Sequence, residues 1–239
     1  MSDSTGGEYP VDDLNRVRRL AERGHYDRAT IHGVLDAGVL AHVAYVVDGQ
    51  PLCTPTFYWR DGWRLFWHGS NSSRMLRTLA DGVPACLTVT HFDSLVLARS
   101  AFNHSADYRS VMAFGQARLV SDPLEKERAL LRVVERMFPG RQPLLRPNAP
   151  QEIRATTVVS MDIERASAKI HAHGISDDEA DYALPIYAER IPIRQVILEP
   201  ESCPRLLAGV ERPEHLRDFR AGASLEELLS TAARRLGGD

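Results

Sequence analysis

From residue 39 onward the apolar residues of this chain fall mostly into short β-branched runs separated by tight-turn dipeptides, and elsewhere they recur at helical spacing. Residues 39–47 form the first apolar run. Asp48-Gly49 is a hairpin signal, and residues 51–60 are the return strand. Asp61-Gly62 turns the chain again into a third strand over 63–68. Residues 85–91 and 95–100 read as two strands with Phe92-Asp93-Ser94 between them. Residues 108–120 make a longer strand in which Gly115 marks a bulge, and 156–163 is the final strand.

Helical spacing predicts the remaining elements. Leu14, Val17, Leu20 and Ala21 predict an Arg-rich surface helix over 11–23. Asp27 caps a second helix over 27–37, with Ile31, Val34 and Leu35 inward and Gly38 as its stop. A short helix follows Ser73, burying Met75, Leu76 and Leu79 and ending at Asp81-Gly82. Asp122-Pro123 opens a helix to about residue 138, with Leu124, Leu131, Val134 and Met137 along one side. Residues 151–155 make a helical turn, and 224–236 an amphipathic helix. Strands joined through tight turns predict an antiparallel sheet closed into a small, Greek-key-like β-barrel with flanking helices. No G-x-G-x-x-G follows a strand, and no Walker phosphate loop occurs. The organisation expected is an unstructured N-terminus over 1–10, one domain over 11–181, and a C-terminal extension over 182–239.

Composition narrows the class. The 239 residues, 44% apolar and 26% charged, suffice for one sizeable core. A formal net charge of -3 lacks the basic footprint of a nucleic-acid binder. No apolar run approaches the roughly 20 residues that cross a bilayer, and the N-terminus has no apolar signal core. Cys53, Cys86 and Cys203 lie far apart without a C-x-x-C pair, which argues against disulfides and thiolate zinc. Cys53 and Cys86 read as buried, inert thiols. A cytoplasmic protein is expected.

Candidate chemistry gathers at His68-Gly69-Ser70-Asn71-Ser72-Ser73-Arg74, where a strand runs into a small-residue turn and then a helix. Orphan N–H groups, serine hydroxyls and Arg74 suit a phosphate there, and Gly69 lets a planar ring approach the backbone. Taken alone, the same turn is an ordinary helix cap. In the second cluster, Tyr108 and Ser110 share a strand face and Arg109 lies on the other. Arg109 reads either as a phosphate or ring-carbonyl donor or as a surface charge. His42, His68, His91 and His104 fall in or beside the barrel, without metal-site spacing. His171-Ala172-His173 reads as a solvated pair. Phe57, Tyr58, Trp59, Trp63, Phe66 and Trp67 read as core and interface packing.

Six short signatures recur in order: His68-Gly69-Ser70, Ser73-Arg74-Met75, Leu97-Ala98-Arg99-Ser100, His104-Ser105, Tyr108-Arg109-Ser110-Val111 and Ser167-Ala168-Lys169. With them, residues 26–169 resemble the pyridoxamine 5'-phosphate oxidase-like flavin-binding proteins, in the branch related to nitroimidazole resistance. The resemblance implies an FMN-binding split barrel that dimerises with FMN at the subunit interface. It implies phosphate contacts from Ser72, Ser73 and Arg74, and ring contacts along Pro55, Thr56, Phe57, His68, Gly69 and Ser70. Tyr108, Arg109, Ser110 and Lys169 also face the cofactor in this resemblance. The activity it implies is that of an FMN-dependent oxidoreductase acting on a small molecule, with His68 or Tyr108 as proton carrier. Two alternatives stay open. One is a flavin- or haem-binding module without turnover, in which His68 or His104 ligates haem. The other is a reductase using the deazaflavin F420, for whose tail the Arg-rich first segment leaves room. The Arg-x-His segment of true pyridoxamine phosphate oxidases has no copy here, which argues against that substrate.

Overall fold

Hairpin chemistry sets the topology in the computed structural model, which describes residues 7–237. Asp48 and Gly49 both take positive φ, 50° and 76°, as a two-residue type I′ turn requires. They join β2 (Leu40–Val47) to β3 (Gln50–Asp61), in register from Val47↔Gln50 to Leu40↔Phe57. Gly62, at φ 60°, and Trp63 turn β3 into β4 (Arg64–Ser70). The other edge of β4 pairs with β7 (Thr156–Asp162). That strand pairs with β6 (Ser105–Leu119), β6 with β5 (Asp81–Leu97), and β5 returns to β2. The antiparallel strands therefore close into a ring, β2-β3-β4-β7-β6-β5, a split β-barrel with flanking helices. Beyond β6 the sheet adds β8 (Arg165–His171) and β1 (Gly24–His25); beyond β5 it adds β9 (Glu189–Pro192).

Alternation along the strands fills the ring with Val43, Tyr58, Leu65, Trp67, Leu87, Val111 and Met161, all buried. Ile31, Val34 and Leu35 of α1 (Arg28–Asp36) and Met75, Leu76 and Leu79 of α2 (Arg74–Ala80) join this core. Outside the ring, Ala129 and Val133 of α3 (Pro123–Met137) pack on Trp59, Phe66 and Val158. The short α4 (Pro150–Ala155) leads into β7, and α5 (Leu225–Arg235) closes the C-terminal segment.

Several expectations change. Residues 11–23 form an irregular strap, with a turn in which Arg16 N donates to Asp12 O at 3.1 Å and a 3-10 turn at Ala21–Arg23, not a continuous α-helix. Asn15 is 4% exposed and donates to Pro10 O and Ala166 O, which pulls the segment flat against the sheet. Of the 1–10 stretch expected to lack structure, residues 1–6 lie outside the described part. From Gly7 the chain is packed: Tyr9 is 3% exposed, and its hydroxyl meets buried His32 Nε2 at 2.8 Å. The two strands expected over 85–100 are one, β5, with a register irregularity between Phe92 and Ser94. Gly115 is not a bulge, because pairing runs unbroken through Ala85↔Gly115. It is glycine for space: a Cβ there would lie 2.1 Å from Asp162 O. Helix α3 turns Ala129, Val133 and Arg136 inward and leaves Leu124 69% exposed, because Arg136 reaches the carbonyls of Asp36 and Leu229. The strand over 156–163 is not the last, since β8 and β9 follow. Cys53 is exposed and Cys86 half-buried, because Cys53 points from the outer face of β3.

Asp107 fastens β9 to the barrel. Its fully buried carboxylate accepts from Ser94 Oγ at 2.7 Å, from Gly174 N at 3.3 Å and from Arg190 Nε of β9. Burial pushes its pKa up, but the donors, Arg190 foremost, outweigh that and hold it below the ordinary 3.8. A folded-state pKa below the unfolded one means stability present above about pH 4 and lost as pH falls through the folded value. Asp107→Asn is therefore expected to cost about 3 kcal/mol at neutral pH, by breaking a buried pair from one side. Urea unfolding at neutral pH and near pH 3 should show the deficit narrowing at the lower value.

Candidate functional site

The barrel opens between β3 and β4. These strands pair only from Asp61↔Arg64 to Tyr58↔Trp67. Beyond that point β3 stays with β2, and β4 stays with β7 as far as Ser70↔Thr156. The split lies between Pro55, Thr56 and Phe57 on one strand and His68, Gly69 and Ser70 on the other. Across it the two strands no longer satisfy each other's polar backbone.

At the end of β4 the turn is self-bonded. Ser73 N donates to Ser70 O at 2.9 Å, Ser72 N donates to Ser70 Oγ at 3.2 Å, and the Ser70 and Ser72 hydroxyl oxygens lie 2.8 Å apart. Ser73 Oγ caps α2, accepting from Leu76 N at 3.5 Å. The turn is thus a helix cap, as its residue types allow. It also leaves Ser70, Ser72 and Arg74 exposed, and Arg74 has no carboxylate within 4.0 Å among the described residues. Gly69 serves packing, since a Cβ there would come 3.0 Å from Leu76 Cδ1.

The register Pro55↔His42↔Thr88↔Met112↔Ser167 crosses β3, β2, β5, β6 and β8 in one row. Phe57, Ser110 and Lys169 share that outer face, and Ser110 pairs with Lys169. Four strand spacings of about 4.8 Å separate the ends of the row by roughly 19 Å, so one chain does not bring Ser110 and Lys169 to the split. Tyr108 lies on the same face of β6, its ring 6.1 Å from that of His171. Arg109 goes elsewhere. Its guanidinium is held by Asp93 at 2.7 and 2.9 Å and by Glu226 at 2.7 and 2.9 Å. Donating to Asp93 and then to Glu226 raises its pKa further, and the fork ties α5 to the sheet rather than facing the turn.

His68 is the feature the linear pattern left least specified. It sits on the outer face of β4, edge-on to Trp59 at 5.7 Å, with Nδ1 buried and unpartnered. Burial pulls its pKa below 6.5, so the imidazole is neutral at neutral pH. It lines a cleft of about 410 Å³ walled by Leu130 of α3, Leu145 and Arg146 of the following loop, and Ile153 of α4. Arg146 pairs with Glu152 on the wall, and that hydrogen bond pulls Glu152 down to about 2. Paired leucines in an otherwise Pro-rich loop, Leu144-Leu145, were the available signal for this wall. The other histidines differ. His104 is exposed and bonded to Ser100 O at 2.7 Å, and His91 bonds Val34 O at 2.9 Å. His42 is exposed, and of the two histidines expected to be solvated only His173 is, because His171 is buried with Nδ1 2.9 Å from Ala106 O and its ring edge-on to that of His173 at 5.4 Å. Among the described residues no group of three or more His, Cys, Asp or Glu is placed to hold a metal, and no helix is long and apolar enough to cross a membrane.

Residues 27–170 match the family model for pyridoxamine 5'-phosphate oxidase. Among solved structures, the flavocytochrome Anf3 from Azotobacter vinelandii superposes with a TM-score of 0.82 at 44% identity, over 88% of this chain and 98% of that one. The FAD and haem binding protein from Mycobacterium smegmatis superposes with a TM-score of 0.80 at 32% identity, over 85% and 98%. A Bacteroides thetaiotaomicron protein provisionally assigned to 5-nitroimidazole antibiotic resistance shares the fold, with a TM-score of 0.51 at 18% identity over 62% and 86%. No curated protein matches the chain.

Proposed function

The chain belongs to the pyridoxamine 5'-phosphate oxidase family, and on that footing we propose that it is a flavin-binding redox protein that also holds haem. The flavin nucleotide lies across the split between β3 and β4, and the haem lies against His68. The observation that carries the flavin reading is the split itself, which ends on a turn that exposes the Ser70 and Ser72 hydroxyls and the Arg74 guanidinium. Ser72, Ser73 and Arg74 bind the flavin phosphate, and the backbone of Pro55, Thr56, Phe57, Gly69 and Ser70 borders the ring. Two similar proteins, one a flavocytochrome and one binding FAD and haem, support the pairing of cofactors.

A second copy of the chain completes the flavin site. Leu40, Val46, Phe57 and Met112 expose 44–60% of their surface on the outer face, an apolar area that monomers seldom leave uncovered. A partner seated there delivers its own outer-face groups, from the strands that carry Ser110 and Lys169, to a ring held at the split.

The haem reading rests on His68. Its orphaned buried nitrogen and neutral imidazole, in a cleft with Leu130, Leu145 and Ile153 on its apolar side and Arg146, Asn148 and Thr156 on its polar side, fit an iron porphyrin better than they fit an ordinary core histidine. In this reading His68 is an iron ligand rather than a proton carrier. Leu130, Leu145 and Ile153 exclude water from the porphyrin face. Flavin supplies exchange between two-electron and one-electron steps, and haem supplies one-electron exchange.

The visible spectrum of the purified protein tests both cofactors at once, separating flavin, deazaflavin and haem. A chain that takes up neither FMN nor FAD on titration overturns the flavin reading. Turnover is a separate test, in which flavin reduced by NADH or NADPH is reoxidised by an added acceptor. Arg74→Ala is expected to weaken FMN binding about tenfold or more, the loss of a charge-assisted hydrogen bond of about 1.5–3 kcal/mol. Riboflavin, which lacks the phosphate, should bind both proteins alike in a fluorescence titration.

A further inference from the structure

The strap formed by residues 11–23 has a use that its flatness against the sheet suggests. Asn15 anchors it, Tyr26 Oη accepts from Val17 N at 2.8 Å, and Asp12 pairs with Arg165. Its backbone is thereby held along the outer face of β6 and β8. Between strap and sheet lies a cleft of about 250 Å³, lined by Arg16, Arg18 and Arg19 from the strap and by Ser110, Ser167 and Lys169 from the sheet.

The cleft holds more positive charge than its carboxylates offset. Asp12 is engaged by Arg165, and Asp13 is engaged by Arg18 in an exposed pair that contributes little. Arg16, Arg19 and Lys169 have no carboxylate within 4.0 Å among the described residues. Three cations around one concavity, two of them guanidinium forks, are the donor set of a phosphate site. The volume suits the phosphate-bearing end of a molecule rather than a whole dinucleotide. The strap also lies outside residues 27–170, so the family match does not account for it.

We propose that this cleft is an anion subsite that holds the phosphate group of the small molecule meeting the flavin. The assignment rests on the flavin reading, because it is the proposed dimer that brings one chain's cleft beside the flavin held by its partner. Arg16 and Arg19 make the charge-assisted contacts, and Lys169 adds a point charge. The substrate class that follows is a phosphorylated small molecule, of which a nucleotide cosubstrate is one form.

Calorimetric titration of the flavin-loaded protein with ADP, and with adenosine as the uncharged control, tests it. ADP is expected to bind about tenfold or more tightly than adenosine, and added salt should erode only the ADP affinity. In the double variant Arg16→Ala/Arg19→Ala the preference for ADP should disappear while flavin affinity stays within about twofold, since one lost charge-assisted contact is worth about a factor of ten. Equal binding of ADP and adenosine by the unmodified protein overturns the proposal, and so does a double variant that keeps the preference. If the chain takes up no flavin, the functional reading falls separately, and the same titration of the flavin-free protein still decides whether the cleft selects phosphate.

Discussion

His68→Ala is expected to abolish the haem absorption band and leave flavin uptake intact. The imidazole is the group of the cleft that would hold iron, since Glu152 is engaged by Arg146 and Leu130, Leu145 and Ile153 offer only packing. Removing it should lower haem affinity by a hundredfold or more, about 3 kcal/mol, whereas Ser72, Ser73 and Arg74, the residues proposed to bind the flavin phosphate, are untouched. The fold should survive, because His68 makes no hydrogen bond and lies at the rim of the packing between α3 and the sheet. Circular dichroism checks that, and added imidazole should restore the band by filling the vacated space. His42→Ala and His104→Ala serve as controls and should keep haem, since both side chains are exposed on other surfaces. A His68→Ala protein with undiminished haem, or a His104→Ala protein without it, would transfer the assignment away from this cleft.

Gly115→Ala is expected to destabilise the protein by about 3 kcal/mol or more, enough to unfold a marginal domain. The glycine does not need a left-handed backbone. It sits where β6 passes under the β7–β8 corner, and the added methyl would meet Asp162 O at 2.1 Å and Met161 Cγ at 2.9 Å. A backbone carbonyl cannot swing aside as a side chain can, so relief requires separating β6 from β7 and losing ladder bonds that close the ring. Gly49→Ala makes a useful contrast. Its φ of 76° strains an alanine, but nothing lies within 4 Å, so the cost should be about 1 kcal/mol. Urea unfolding of the two variants distinguishes steric from conformational need. A Gly115→Ala protein as stable as the parent would contradict the close approach of the two strands.

Local chemistry determined a large part of the fold. Asp27, Ser73, Asp122 and Ser224 each cap the helix their position announced, accepting from backbone N–H groups two or three residues on. Asp48-Gly49 set the first hairpin, and with it the register that puts Pro55, Phe57 and Leu40 on the outer face. The inward residues of α1 and α2 were legible for the same reason: a helix stripe and a cap depend on neighbours within one or two turns. The turn after β4 was visible as a small-residue stretch ending in Arg74.

Contacts between distant residues decided the rest. Asn15 flattens an apparent helix through Ala166 O, a partner 151 positions away. Arg109 becomes a tie for α5 because Glu226, 117 positions on, arrives beside Asp93. Gly115 is explained by Asp162 rather than by its own strand, and Arg136 is buried for carbonyls on α1 and α5. Periodicity reports which side of an element is apolar; it does not report what comes to lie against a polar residue. The sequence by itself therefore determined the turns, the caps and the small-residue stretch from His68 to Arg74. Only the tertiary structure placed the walls around His68, opened β3 from β4, and laid the arginines of the strap beside Lys169. Each of those depends on where strands far apart in the chain close the ring.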